Sequence, residues 1–584
     1  MRAAGSISAW LQLNRLFLRQ FLENDLVSPD ADRAQLLAIV GAGVVSLTLF
    51  VSMFLSATYA MTVLTPGEAA VRTLNDKFFY SALAMLITAL VAAAQWDALA
   101  VDSRDAAILD PLPVRPAIVR WAKLSAVAML GAGAALAVNV FPTMVFPWML
   151  SFSLRQMAAA DVFRLMAIHA MVTVTAAAFG YLAVMAMRES VSALLGPKLF
   201  TRVSAPLQAL TIVVLGSLVL LLPPASTRVA SMGFSGWPSQ LPPMAFVGLY
   251  ELASNEFIVD LPRRRVPARM AARDRSNTAV YEKLRPLFRP MAQRVEVLLG
   301  TAAALLMAAT AVNAFRAPVS GVLLTARGRR RSRLAEAVAL LLLVRHPATR
   351  AGFHFALATL FRSKTHRLTL ACAAAVGLAM ALVLLSRMDL QSGARLTPGL
   401  LSIQPLLYGS LLVAFRHLIR VPAELRANWA VQLAWQGHPR AFARGVRRAA
   451  MVTLALPAIV AVIPVVAIVS GGAVAAGHAL LGIAGAAIFI EGLMLGYDKA
   501  PFACSYVPGS AKGFVPIFVL VFLLGASLFA RLELAIINGS NASMAAMVLA
   551  VVFVTLKIAS ARQREVAIDF DEGPEGFNQL GLHT

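Results

Sequence analysis

Apolar residues in this chain neither alternate at a strand's period nor mark one face of a helix; they run on for roughly twenty positions at a time. Such runs occupy 36–60, 77–94, 124–150, 162–187, 205–222 and 296–315, then 368–386, 400–417, 449–469, 473–496, 514–530 and 543–560. In hydrocarbon every backbone N–H and C=O has to be paired within the segment, so runs of this length predict membrane-spanning helices. Barrel strands would be nearer 10 residues and would alternate. Pro142, Pro147, Pro457 and Pro464 fall inside runs, and the pair Gly471-Gly472 falls between two closely spaced runs; all predict kinks or half-helices.

Composition agrees with the pattern. Of 584 residues 59% are hydrophobic and 14% charged, with a mean hydropathy of +0.74. The predicted class is therefore all-α, a polytopic membrane protein of twelve transmembrane helices. The two cysteines, Cys372 and Cys504, exclude a disulfide framework. Residues 1–33 are too interrupted for a cleaved signal peptide and read as an interfacial amphipathic arm, with Trp10, Leu11, Leu16, Phe17 and Phe21 on its apolar side.

The net charge of +23 is concentrated between the runs, which points to anionic lipid and inside-facing loops rather than to nucleic acid. Basic residues gather in the N-terminal arm, in 95–123, around Arg188 and Arg202, in Gly328 to Arg333 and in 418–448. The gaps alternating with these carry little charge, which predicts both termini in the cytoplasm. The stretch 223–295 is external by alternation although it contains Arg263, Arg264 and Arg265. Long loops translocate largely regardless of charge.

Division near 320 leaves six runs on each side: 34–320 and 321–560, with a cytoplasmic tail at 561–584. Each half has an amphipathic lead-in (1–33 and 333–366), two spans, a charged excursion and four more spans. The first excursion places Asp102, Arg104 and Asp105 ahead of Leu112-Pro113-Val114-Arg115; the second places Glu424, Arg426, Asn428 and Trp429 ahead of Pro439. Such segments suit a short helix parallel to the membrane, broken off by proline. Charges anchoring span ends would look the same. Two pseudo-equivalent halves are a common transporter plan.

The first excursion resembles the coupling helix between the second and third spans of type-2 ATP-binding-cassette (ABC) exporter permeases, nearest to a fused, double-length bacterial group. The resemblance recurs at Leu241-Pro242-Pro243 with Gly248-Leu249-Tyr250-Glu251, at Pro422 to Trp429, at Pro501-Phe502-Ala503-Cys504-Ser505-Tyr506-Val507-Pro508-Gly509, and in the tail from Phe570 to Leu582. The chain departs from the group at Met244-Ala245 and Ala503, where the group favours Trp and Thr. The resemblance implies a membrane subunit whose two excursions seat on two copies of a separate cytoplasmic ATPase, with no cofactor of its own. It also implies that 241–252 dips back as short helices closing an outer gate; an interfacial helix resting on headgroups is the other reading.

Other chemistry is sparse. No phosphate-binding G-x-x-x-x-G-K-[ST], no H-E-x-x-H and no zinc-spaced cysteines occur, so neither ATP hydrolysis nor a metal is expected on this chain. Glu491 and Arg416 lie near span ends, where they can anchor by snorkelling, and His169 and His478 read as hydrogen-bonding helix-packing residues. Two rival functions remain. A glycosyl- or acyltransferase acting on a lipid-linked substrate would use the basic stretch 259–295 and external acids such as Glu251, Glu256, Asp260 and Asp274. An ion-coupled transporter would need a paired buried carboxylate, which the sequence does not reveal.

Overall fold

Two copies of one four-residue signal organise the fold. Leu64-Thr65-Pro66-Gly67 and Leu396-Thr397-Pro398-Gly399 each put Thr at a helix N-cap and Pro at the first helical position, where no N–H is needed. Thr65 Oγ1 accepts from Glu68 N at 3.3 Å while Thr65 N donates to Glu68 Oε2 at 3.2 Å, a closed capping box. Thr397 Oγ1 accepts from Leu400 N at 3.3 Å. The helices launched by these caps are the most enclosed of the ten spans found among the described residues, with 72% and 67% of their apolar windows buried against 50% or less in the others.

The computed structural model describes residues 2–22, 33–96, 116–154, 157–231, 236–254, 258, 268–316, 346–386, 396–422, 438–495, 497, 499–504, 515–539 and 541–563. They fall in two compact units, the first ending at 316 and the second beginning at 346. In unit 1 the order is α1 (Arg2–Leu22), α2 (Arg33–Met61), α3 (Pro66–Ala94), α4 (Pro116–Leu154), α5 (Ala159–Ser231), a 3-10 turn (Trp237–Gln240), α6 (Pro242–Ser254) and α7 (Ala268–Arg316). Unit 2 contains α8 (Pro347–Arg362), α9 (Lys364–Ser386), α10 (Pro398–Leu418) and α11 (Pro439–Ala450). A π-turn (Met451–Ala455) then leads to α12 (Leu456–Ser470), α13 (Gly472–Leu493), α14 (Val515–Ile537) and α15 (Ala542–Gln563).

Every apolar run lies on a helix, and no strand occurs among the described residues. Ten helical stretches among them are long and apolar enough to cross a membrane. The other two runs expected to span, 36–60 and 514–530, lie on α2 and α14, whose side chains are described only in part, and are not among the ten. Large apolar side chains such as Phe54, Leu194, Ile468 and Leu480 stand exposed on the outer surfaces, as lipid-facing positions require. The protein is an all-α, multi-pass membrane protein.

Some boundaries differ from the sequence reading. The runs at 162–187 and 205–222 belong to α5, two helices joined across a kink at Gly196, whose φ of 70° is accessible to glycine ahead of Pro197. Much of the stretch expected as an external loop, 223–295, is helical: α5 continues to Ser231, α6 follows, and α7 begins at Ala268, well before its apolar part. The face that α1 turns inward is Leu13, Asn14 and Phe17, whereas Leu11 and Leu16 are exposed. Helix packing within unit 1 is close: a side chain at Gly180 on α5 would collide with the Met85 carbonyl of α3, and nearby Thr88 Oγ1 donates to Ala177 O at 2.7 Å.

Candidate functional site

The two excursions leave from equivalent places. Each follows the enclosed helix of its unit, α3 or α10, and each ends at a proline that starts the next helix, Pro116 of α4 or Pro439 of α11. Their named residues, Asp102, Arg104, Asp105, Leu112, Pro113 and Arg115 in one and Glu424, Arg426, Asn428 and Trp429 in the other, lie outside the described residues, as do Tyr506, Pro508 and Gly509. What the structure places is the root of each excursion.

In unit 1 the departing end is tied three ways. Gln208 Nε2 donates to Ala93 O at 2.9 Å, and the buried Trp96 donates through Nε1 to Ser204 Oγ at 2.9 Å. Tyr181 OH lies within hydrogen-bond distance of both Gln95 Oε1 (2.7 Å) and Val127 O (2.9 Å), linking the departing end to the returning helix. That returning helix is gripped by α1: Asn14 Nδ2 donates to Ala122 O at 3.2 Å and to Ser125 Oγ at 2.6 Å. The buried Phe17 ring packs with Ala122 and Ala126 beneath the Lys123 ammonium, 5.2 Å from the ring centroid.

Unit 2 repeats the device with other residues. Ile419 O, at the end of α10, accepts from Tyr497 OH and from Phe502 N, both at 2.8 Å, and His366 Nε2 lies 3.2 Å from Val421 O. Phe502 belongs to the resemblance motif; held at a φ of 61°, it buries its ring between Phe355 and His366. Pro501 and Cys504 are buried beside it. The returning helix α11 is gripped by α8, where Gly352 faces the Phe442 carbonyl and Gly445 faces Thr349 and Phe353. The registers agree: Val119, Ala122 and Ala126 lie three, six and ten residues beyond Pro116, as Phe442, Gly445 and Ala449 do beyond Pro439. Phe17, clustered with Ala122 and Ala126, and Phe353, clustered with Val446 and Ala449, are each about 1% exposed.

No protein-family model, curated protein or solved structure matches the chain. Chemistry and geometry therefore carry the functional argument.

The second cluster surrounds the expected outer gate. Helix α6 is packed into unit 1 against α3, α5 and α7 rather than resting on its surface. Gly248 permits the approach, since a Cβ there would meet Met291 and the Phe288 carbonyl of α7; Pro242, Pro243 and Leu249 are half-buried. Glu251 is 3% exposed and ion-pairs with Lys77 of α3, and its second oxygen accepts from Tyr281 OH at 2.5 Å. Tyr250 is buried: its ring lies 4.6 Å from the Lys77 ammonium and 5.8 Å from the His169 ring. Burial, with Glu251 beside it, holds the Tyr250 phenol above its ordinary range, so it stays neutral beneath the lysine. His169, expected to pack by hydrogen bonds, instead sits among the rings of Tyr80, Phe146 and Tyr250, and neither ring nitrogen has a hydrogen-bond partner among the described residues.

Unit 2 contains a counterpart. His478 of α13 and Glu533 of α14, both wholly buried, meet at 2.5 Å between Nδ1 and Oε1. One turn along the same face of α13, Gly482 lies against the Gln404 amide of α10, and Gly485 faces the Tyr408 hydroxyl and the Phe529 ring. Elsewhere in the unit Glu491 is held by Arg447 at 3.2 Å and Lys557 at 2.5 Å, and Arg416 stacks over Tyr497 at 4.8 Å. The sequence reading missed Lys77, Tyr281, Gln404 and Glu533; the paired buried carboxylates that the sequence did not reveal are Glu251 and Glu533. The available signal was each lone polar residue inside or beside an apolar run. Of the acids available to a transferase, Glu251 is spent on Lys77, and Asp274 Oδ1 accepts from Gly67 N at 2.8 Å; Glu256 and Asp260 lie outside the described residues.

Proposed function

We propose that this protein is the membrane permease of an ABC exporter, driven by separate ATPase subunits that seat on 97–115 and 423–437 from the cytoplasmic side of the inner membrane. One observation carries the reading: each excursion springs from the enclosed helix of its unit and returns into a helix gripped, in matching register, by an amphipathic lead-in helix. A segment pushed by an external motor transmits displacement only where its roots cannot yield. The ties at Ala93, Gln95 and Trp96, and at Ile419 and Val421, supply that stiffness with direct hydrogen bonds. Anchoring charges alone would not call for two such clamps.

Under this reading α6, sealed by Lys77, Glu251 and Tyr281, closes the external end of unit 1, and both chain termini are cytoplasmic. Two ATPase copies, one per excursion, match the two roots, and anionic lipid meets the basic run from Gly328 to Arg333. Co-purification of the full chain with the ATPase encoded beside it tests the proposal. The double variant Asp102→Ala/Arg104→Ala and the single variant Glu424→Ala are expected to lose most ATPase association, or transport-linked hydrolysis, while inserting normally. Full retention of coupling in both variants would refute the assignment of the excursions. Product formation from a lipid-linked sugar or acyl donor in ATPase-free membranes, lost on substituting Arg263 to Arg265, would establish the transferase instead.

A further inference from the structure

The buried polar clusters of the two units draw on similar residue types from corresponding helices but pair them differently: Glu251 is held by Lys77 and Tyr281, Glu533 by His478. In unit 1 the enclosed helix α3 contributes Lys77 and Tyr80, α5 contributes His169, and the segment after the fifth apolar run contributes Glu251. In unit 2 the enclosed helix α10 contributes Gln404 and Tyr408, α13 contributes His478, and the end of α14 contributes Glu533. Unit 1 carries its own cation, the Lys77 ammonium on Glu251. Unit 2 has an uncharged amide on that helix, and both Gln404 amide atoms, His478 Nε2 and Glu533 Oε2 are buried with no hydrogen-bond partner among the described residues. Four open hydrogen-bonding atoms on wholly buried side chains mark a place for something that comes and goes.

We propose that Glu533, His478 and Gln404 form a proton-binding site, in which an exchangeable proton does for Glu533 what the fixed Lys77 ammonium does for Glu251. The geometry selects the ligand. His478 Nδ1 and Glu533 Oε1 are in direct hydrogen-bond contact, which leaves no room between them for a sodium or potassium ion, whose ligands would each stand at about 2.5 Å from the ion itself. On loading, a hydronium ion gives one proton to the open Oε2 of ionised Glu533, whose Oε1 already accepts from His478 Nδ1–H, and leaves as water; the carboxylate becomes a neutral carboxyl. On release the proton returns to water and no electrons move. An unneutralised carboxylate at this depth is costly, so the closed protein holds the proton and gives it up only when water reaches the cluster. The route is short: Glu533 is four residues from the end of α14, about 6 Å along the axis.

Few other charges face the site. From α10 the facing ionisable group is Tyr408. Helix α12 has no ionisable side chain, α15 has none before Lys557, which is engaged by Glu491, and Arg531 on α14 itself is exposed. On α9, His366 lies at the far end beside Val421, with Gly377 already opposite Ser410.

The test is infrared difference spectroscopy between acid and alkaline pH on the full-length protein in lipid nanodiscs. The wild type is expected to show a carboxyl and imidazole signal that is lost in Glu533→Gln, unaffected by exchanging sodium for potassium, and abolished in Gln404→Lys, which rebuilds the unit 1 arrangement with a fixed ammonium. Gln404→Lys keeps Glu533 paired and so answers the question even where Glu533→Gln does not fold. Superimposable wild-type, Glu533→Gln and Gln404→Lys spectra would overturn the proposal. So would a pH-indifferent wild type whose thermal stability rises saturably with sodium or potassium.

Discussion

Lys77 and Glu251 lie 174 residues apart in sequence and form an ion pair with 1% and 3% of their side chains exposed. Tyr281 completes the shell of Glu251 and the Tyr250 ring covers Lys77, so both charges are compensated without water. Breaking such a pair from one side leaves a naked buried charge, which costs about 3–5 kcal/mol, whereas replacing both partners with apolar groups of similar size is often neutral. Lys77→Met is therefore expected to destabilise unit 1 strongly, and Lys77→Met/Glu251→Met to recover most of the loss. Thermal unfolding of the purified variants in detergent checks this; a double variant as unstable as the single one contradicts it.

Phe17 and Phe353 pack against the returning helices of the two excursions. Truncating a buried phenylalanine costs about 3–5 kcal/mol. Phe17→Ala and Phe353→Ala are each expected to release one lead-in helix, Arg2–Leu22 or Pro347–Arg362, while the spans stay folded. Hydrogen–deuterium exchange reads the result directly: amides of the affected lead-in lose protection and those of α3 and α10 do not.

Gly352 and Gly445 face backbone atoms across the second grip, so no side-chain rearrangement can make room there. Gly445→Val is expected to expose Pro347–Arg362 to exchange more fully than Phe353→Ala does. Equal protection in the variant and the wild type would mean that α8 and α11 are not held this closely.

Gly180 and Thr88 stabilise the crossing of α3 and α5 in different ways, and magnitude separates them. Losing the Thr88 to Ala177 hydrogen bond in Thr88→Val is worth about 0.6 kcal/mol on average for membrane helices. Gly180→Val drives a side chain into the Met85 carbonyl. The first variant is expected to unfold within a few degrees of the wild type, and the second to be lost from the membrane fraction.

The charge alternation gives a test of orientation. A single cysteine at Gly328, in a chain carrying Cys372→Ala and Cys504→Ser, is expected to react with a membrane-impermeant maleimide only after the inner membrane is opened. Labelling of intact spheroplasts would invert the orientation.

The sequence by itself determined the class and the positions of the spans, because hydrocarbon imposes one rule on every backbone group and long apolar runs answer it locally. Caps were equally local: Thr65 and Thr397 act on their own helices through residues three positions away. The excursions were also legible as charge islands. Which faces met was decided only by tertiary structure. Leu11, Leu16 and Phe17 share one apolar pattern, yet only Phe17 of the three finds a groove in α4, because Ala122 and Ala126 are small enough to admit a ring. The stretch 241–252 admits from sequence either a helix dipping into the protein or one resting on headgroups; packing of α6 among α3, α5 and α7 excludes the second. Lys77 and Glu251, like His478 and Glu533, stand on different helices with no local pattern joining them. A buried charge is compensated through space, and its partner is set by how the helices pack rather than by what lies next to it in the chain.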